Sequence, residues 1–252
     1  MFRGFGTVLN VTTVLVGSGI GVLVGHRLHQ RTRDVVTDAL GLVTLLVAAL
    51  SATAVTDEHL SAAVGDGAPV LIVLGALVIG GIAGTALRIE DRLEDAGVAL
   101  RRRLIRNAGH GAAAANEQQR FVEGFLTASL VFCVGPLTIL GSLSDGLGRG
   151  ADQLVLKSVL DGFASVAFAA SFGWGVAASA LAVLAVQGSL TLLGVLLGSF
   201  VPEAHLVAMT ATGGLLLVGV ALRLLQIRRL PVADLLPALL VAPVLVQIVI
   251  SV

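Results

Sequence analysis

Lys157 is the only lysine in the chain, and it lies four residues before Asp161 in the apolar stretch LVLKSVLDGFASVAFAASF. In a helix this spacing puts ammonium and carboxylate on one face, with Ser165 a turn further along. A lone carboxylate inside an apolar span costs about 3 kcal/mol, so it must pair, take up a proton or face a wet cavity. At a rise of 1.5 Å per residue Asp161 sits roughly 10 Å inside Leu154, whereas the longer Lys157 is expected to reach the nearer membrane surface. Two readings follow. Either the two residues are a structural ion pair, or Asp161 is a titrating or ion-coordinating carboxylate with Lys157 as its modulator.

The preceding stretch, FVEGFLTASLVFCVGPLTILGSLSDG, carries Gly135-Pro136 near its middle. Proline removes one helical hydrogen bond and clashes with the turn before it, freeing the Phe132 carbonyl, and glycine lets the backbone leave the helix. A break at membrane depth is tolerated only where it faces protein or water. Ser129, Thr138, Gly141 and Ser142 surround it with hydroxyls and room for close approach. The break is read either as exposed backbone that coordinates a solute or ion, or as a packing kink. Asp145 is read as an outer-loop residue or an entry-side charge. Asn10, Thr13, Ser171, Ser179 and Gln187 add polar groups inside apolar runs. Their default role is to hydrogen-bond helix to helix, at about 0.6 kcal/mol each.

The elements that position these residues are membrane helices. Of 252 residues, 56% are hydrophobic and 13% charged, a balance outside the soluble range. About eight runs approach the roughly 20 residues that cross a bilayer: Val8 to Gly25, Val35 to Val55, Ala68 to Leu87, Phe121 to Ser144, Leu154 to Phe172, Val176 to Phe200, Leu206 to Leu225 and Val232 to Val252. They lack the alternation of barrel strands. The expected fold is an all-α integral membrane protein forming a single transmembrane domain over residues 1–252, with its fourth helix broken. The first run is read as a retained helix, with no cleavage site after it.

Thirteen arginines fall in the links after the first, third and seventh runs, against Arg3 and Arg149 on the other side. Basic loops stay cytoplasmic, so both termini are expected outside. The longest link, residues 88–120, opens with Ile89, Leu93, Ala96 and Leu100 at a spacing that suits an interfacial helix, and its RRRLIR run is a topology signal. Zero net charge excludes a generally basic nucleic-acid binder. The lone Cys133 offers no intramolecular disulfide, and no zinc, Walker or nucleophile-elbow motif is present, so neither a cofactor nor an enzyme is expected. The identity of any bound metal is left open.

Gly21, Gly25 and Gly41 recur at a constant offset of 173 as Gly194, Gly198 and Gly214, with nine identities between residues 21 and 48 and their counterparts. The first run enters from outside and its counterpart, the sixth, from inside, so the repeat of helices one and two in six and seven would be inverted. Inverted repeats are typical of secondary transporters. GxxxG spacings at Gly17-Gly21-Gly25, Gly80-Gly84 and Gly194-Gly198 suit close packing within the chain or in a homo-oligomer. Trp174 is expected as an interfacial anchor.

Taken together, GTVLNVTTVLVGSGIG, ALGLVTLLVA, ASLVFCVGPLTILGSLSDGL, LKSVLDG, FGWGV, SALAVLAVQGSLTL and LLPALL resemble the YqgA/YdfK-like bacterial membrane proteins, a family of unknown function. Two positions depart from the family pattern: Thr85, where glutamate is expected, and Asp234, where asparagine is expected. The resemblance implies a multi-pass protein of the bacterial cytoplasmic membrane and supplies no substrate. The sequence therefore points to a secondary transporter or ion-conducting permease, for a small solute or cation, with the lipid bilayer as its surroundings. Its site would draw on Asp161, Lys157, Ser129, Phe132, Gly135, Pro136, Ser142, Asp145, Ser165, Gln187 and Asn10. The alternative is a non-transporting scaffold or regulator that binds a partner or lipid through the basic link.

Overall fold

A computed structural model describes residues 2–25, 29–104, 112–133, 136–148, 150–197 and 202–251. The described residues form helices and no strand. In chain order these are α1 (Phe5–Gly25), α2 (Gln30–Ala52), a 3-10 turn (Thr53–Thr56), α3 (Glu58–Val64), α4 (Ala68–Leu87) and α5 (Ile89–Leu104). They continue with α6 (Ala112–Cys133), α7 (Pro136–Gly146), α8 (Asp152–Phe172), α9 (Gly175–Leu197), α10 (Glu203–Leu224), a 3-10 turn (Val232–Leu235) and α11 (Ala238–Ser251). Among the described residues seven segments are long and apolar enough to cross a membrane, and there are eight when α6 and α7, bent by 73° at a short break, are counted as one span. The protein is thus a polytopic helical membrane protein with its fourth span broken where Pro136 stands. Val134 and Gly135 lie outside the described residues.

Close packing follows the glycines. Along α1, Gly6 lies on Leu154, Gly17 on Gly162 and Ser165, Gly21 on Val166 and Gly25 on Ala170, so α1 runs parallel to α8 in contact along its length. A side chain at Gly21 would run into the Val166 carbonyl. Gly41 of α2 meets Leu224 and Leu225, and Gly214 of α10 meets Ala48, Ser51 and Ala52, which lock α2 against α10. On the other side Gly146 of α7 lies on Thr191 and Gly194 of α9 on Leu143, while Gly175 abuts the Phe121 carbonyl. The broken span therefore runs parallel to α9. Gly198 is outside the described residues.

Two elements differ in detail from the reading of the apolar runs. Residues 232–251 form one of the membrane-crossing segments, as expected, but it opens with a 3-10 turn and α11 itself begins at Ala238. Pro237 has no amide proton to continue a ladder, and the turn presses the Asp234 carbonyl onto Gly84. The 88–120 link is largely helical. In α5, Leu93 and Leu100 pack against the Phe121, Phe125 and Leu126 cluster, so their apolar face meets α6. The tether expected beyond it falls partly outside the described residues, and from Ala112 the chain is helical again. Trp174 stands 56% exposed in the turn between α8 and α9, at the end of the bundle where the arginines gather.

Gly21→Val and Gly214→Val force apart helices that touch backbone to backbone, and each is expected to lower stability in detergent by about 1–3 kcal/mol. Gly19→Ala, with nothing within 4 Å of its added carbon, should leave the melting curve unchanged.

Candidate functional site

Three polar groups on two helices meet in the centre of the bundle. Lys157 Nζ forms an ion pair with Asp161 Oδ2 within α8, and Asn10 Nδ2 of α1 donates to the same oxygen at 2.9 Å. Asn10 is 0%, Lys157 5% and Asp161 6% exposed. Lys157 thus folds inward onto its neighbour instead of reaching the membrane surface. Its ammonium lies 6.0 Å from the centroid of the Phe132 ring, within the range of a cation–π contact. The glycine contact of α1 with α8 sets this geometry, because Asn10 falls between Gly6 and Gly17 on the same close approach.

The break supplies the other wall. Thr138, in the first turn of α7, donates its hydroxyl to the Phe132 carbonyl at 3.0 Å, so the acceptor freed by the missing proline amide is capped within the chain. A cavity of about 220 Å³ lies between α2, α6, α7, α8 and α10, lined by Thr44, Thr138, Lys157, Asp161, Phe168 and Leu217 among others. Its rim includes Val43, Val47 and Leu160, which are exposed on the apolar outer surface. The pair therefore borders space that reaches the lipid-facing side.

The remaining predicted residues occupy separate places. Ser165 donates to the Gly162 carbonyl at 2.8 Å and packs against Gly17. Asp145 is buried and accepts the Gly6 amide at 3.0 Å, capping the start of α1 from another helix. Neither the loop nor the entry-side reading anticipated that contact. Ser129, Ser142 and Gln187 carry side-chain atoms with no hydrogen-bond partner among the described residues. Thr7 and Thr191 approach to 3.3 Å, and further along Val11 and Leu15 share an apolar pocket with Ala177, Leu181 and Leu184. Helices α1 and α9 are therefore antiparallel, and Asn10 and Gln187 fall at one level.

Sequence reasoning missed a second polar region, at the arginine-bearing end. A cavity of about 420 Å³ there is lined by Asp34, Thr37, Arg120, Glu123, Ser171 and Arg223 among others. Arg120 donates to the Ser171 carbonyl at 2.6 Å, and Arg223 pairs with Glu90 at 2.6 Å. Glu90 also accepts the Ala233 amide, while Asp234 Oδ1 accepts the Glu90 amide, each at 2.9 Å. An asparagine at 234 offers the same acceptor, so that departure from the family pattern leaves the contact possible. The separation of Glu90 from Arg223 in the chain hid this network.

The fold and its buried pair define a class: polytopic helical membrane proteins that hold compensated charges beside a broken span. The chain belongs to the family described as Protein of unknown function (DUF554), whose profile matches residues 5–247. It is 29% identical over 245 residues to the Bacillus subtilis protein called Uncharacterized membrane protein YdfK, covering 97% of this chain and 96% of that one. It is 30% identical over 237 residues to Uncharacterized protein YqgA of Escherichia coli, covering 94% of each. No solved structure matches the chain.

Asp145→Ala removes the cap on α1 and should cost about 1–2 kcal/mol in thermal unfolding, whereas Asp145→Asn keeps an acceptor and should cost less. Thr138→Val, which uncovers the Phe132 carbonyl, is expected to cost about 1 kcal/mol by the same measurement.

Proposed function

We propose that this protein is a secondary transporter or ion-conducting permease for a small solute or cation in the bacterial cytoplasmic membrane. The observation that carries the reading is the buried Lys157–Asp161 pair, joined by Asn10 in the wall of a mid-bundle cavity beside a broken helix. Charge at membrane depth costs insertion energy and commonly marks an ion or solute pathway. Broken helices mark the sites of many transporters.

The 173-residue offset adds support for an inverted repeat. Gly41 rests on Leu224 and Leu225, and Gly214, its counterpart, rests on Ser51 and Ala52, the counterparts of those leucines. A contact that maps onto itself under the offset is what a two-fold relation between α2 and α10 would produce. The antiparallel course of α1 and α9 agrees with it. In this reading both termini face outward, the arginine-bearing end is cytoplasmic, and the residues bind and conduct without bond-making chemistry.

The scaffold reading draws on the basic link, where Arg92 and Arg102 are exposed on α5. Replacing Arg101, Arg102 and Arg103 together separates it from transport, because a transporter keeps its flux.

Purified protein in liposomes containing a pH-sensitive dye, challenged with sodium, potassium and lithium gradients, is expected to show a gradient-driven signal. Asp161→Asn should fall to the level of empty liposomes with an unchanged gel-filtration profile. Equal flux from wild type and variant under every gradient would refute the carboxylate site. A periplasm-active reporter should be silent in the 88–120 link and active at either terminus.

A further inference from the structure

One level of the bundle gathers polar atoms that no protein group satisfies. Asn10 Oδ1 and both amide atoms of Gln187 are buried and unpartnered among the described residues, and both residues are 0% exposed. The Thr7–Thr191 contact sets Asn10 and Gln187 level on antiparallel α1 and α9. The other end of the Asn10 amide is on Asp161. The layer is therefore continuous with the charge pair through one side chain.

A buried polar group left without a partner is destabilising, and folded proteins satisfy such groups with water or an ion. The acceptors here are neutral amide oxygens next to a single carboxylate. No cluster of three or more His, Cys, Asp or Glu suited to a metal ion occurs among the described residues. Divalent calcium and magnesium draw on oxygen sets with more carboxylate charge. The set suits a monovalent hard cation, and Lys157 already holds a positive charge on that carboxylate.

We infer that Asn10, Gln187 and Asp161 form an alkali-cation site whose built-in competitor is the Lys157 ammonium. The cation binds as Lys157 loses one proton to water. An N–H bond breaks with its electron pair kept on nitrogen, one positive charge enters, one leaves, and nothing is oxidised or reduced. Around Lys157 the neighbouring helices bring Asn10 from α1, Thr44 from α2, Phe132 and Cys133 from α6, Thr138 from α7 and Leu217 from α10. Among the described residues, Asp161 and the Cys133 thiol are thus the titratable groups facing it. The inference deepens the transporter reading by naming its coupling ion class, while the binding it describes can be measured without transport.

The test uses the full chain in detergent under light buffering. Sodium, potassium and lithium chlorides are each exchanged for N-methyl-D-glucamine chloride at constant ionic strength, and melting temperature and proton release are read together. One alkali cation should raise the melting temperature and release about one proton per chain, since binding that needs a deprotonated partner expels its proton. Gln187→Leu, similar in size and apolar, should fold and lose both responses. Lys157→Met should still bind the cation, but with a shifted pH profile, because the proton displaced then comes from the unpaired Asp161 carboxyl instead of the ammonium. No response of the wild type to any of the three cations, or a Gln187→Leu variant that responds like wild type, would overturn the proposal. Proton-releasing binding without flux in liposomes would uphold the cation site and remove the transporter reading. Flux of another solute indifferent to these cations would do the reverse.

Discussion

A lysine and an aspartate at membrane depth must be neutralised together, and the contact of α1 with α8 completes what that constraint requires. Removing two charges from water costs more than their attraction returns unless the remaining hydrogen-bonding capacity is also met. In this chain the pair is internal to α8, so its neutralisation needs no partner helix. The further contact from Asn10 does. It exists because Gly17, Gly21 and Gly25 let α1 lie against the backbone of α8. The closest helix contact and the polar centre are one arrangement.

The broken span meets the same constraint from the opposite side. An uninterrupted fourth helix would present a smooth apolar face to Lys157. The break ends α6 at Cys133 and restarts the chain as α7, so the Phe132 ring faces the ammonium while Thr138 takes the Phe132 carbonyl. The cavity beside the pair lies where the two halves diverge from α2 and α8. Asp145 then ties the far end of α7 to the start of α1. The helix carrying Asn10 is thereby fixed at its end by a carboxylate and along its length by glycines.

Much of this was legible in the chain because membrane helices announce themselves locally. The apolar runs, the lone lysine four residues from an aspartate, the Gly-Pro interruption and the glycine spacing need no tertiary knowledge to read. Facing is what periodicity leaves open in a helix that is apolar all round. Lys157 was expected at the surface because its stem is long enough, but the Phe132 ring and Asn10 make the inward rotamer available. Asp145 was ambiguous because its partner is an amide 139 positions away. The Glu90–Arg223 network was invisible because both residues sit in charged segments that read as solvated. The last span kept its extent, and Pro237, which cannot donate to a helical ladder, accounts for its 3-10 opening.

The central claim is that Lys157 and Asp161 act as one buried unit, and a double-mutant cycle measures it directly. Lys157→Met and Asp161→Leu are each expected to cost about 3–5 kcal/mol in reversible unfolding, because each leaves a buried charge uncompensated. The double variant should recover most of that loss. If the two costs simply add, as they do for distant and independent sites, the residues are not coupled and the account of the bundle's centre is contradicted.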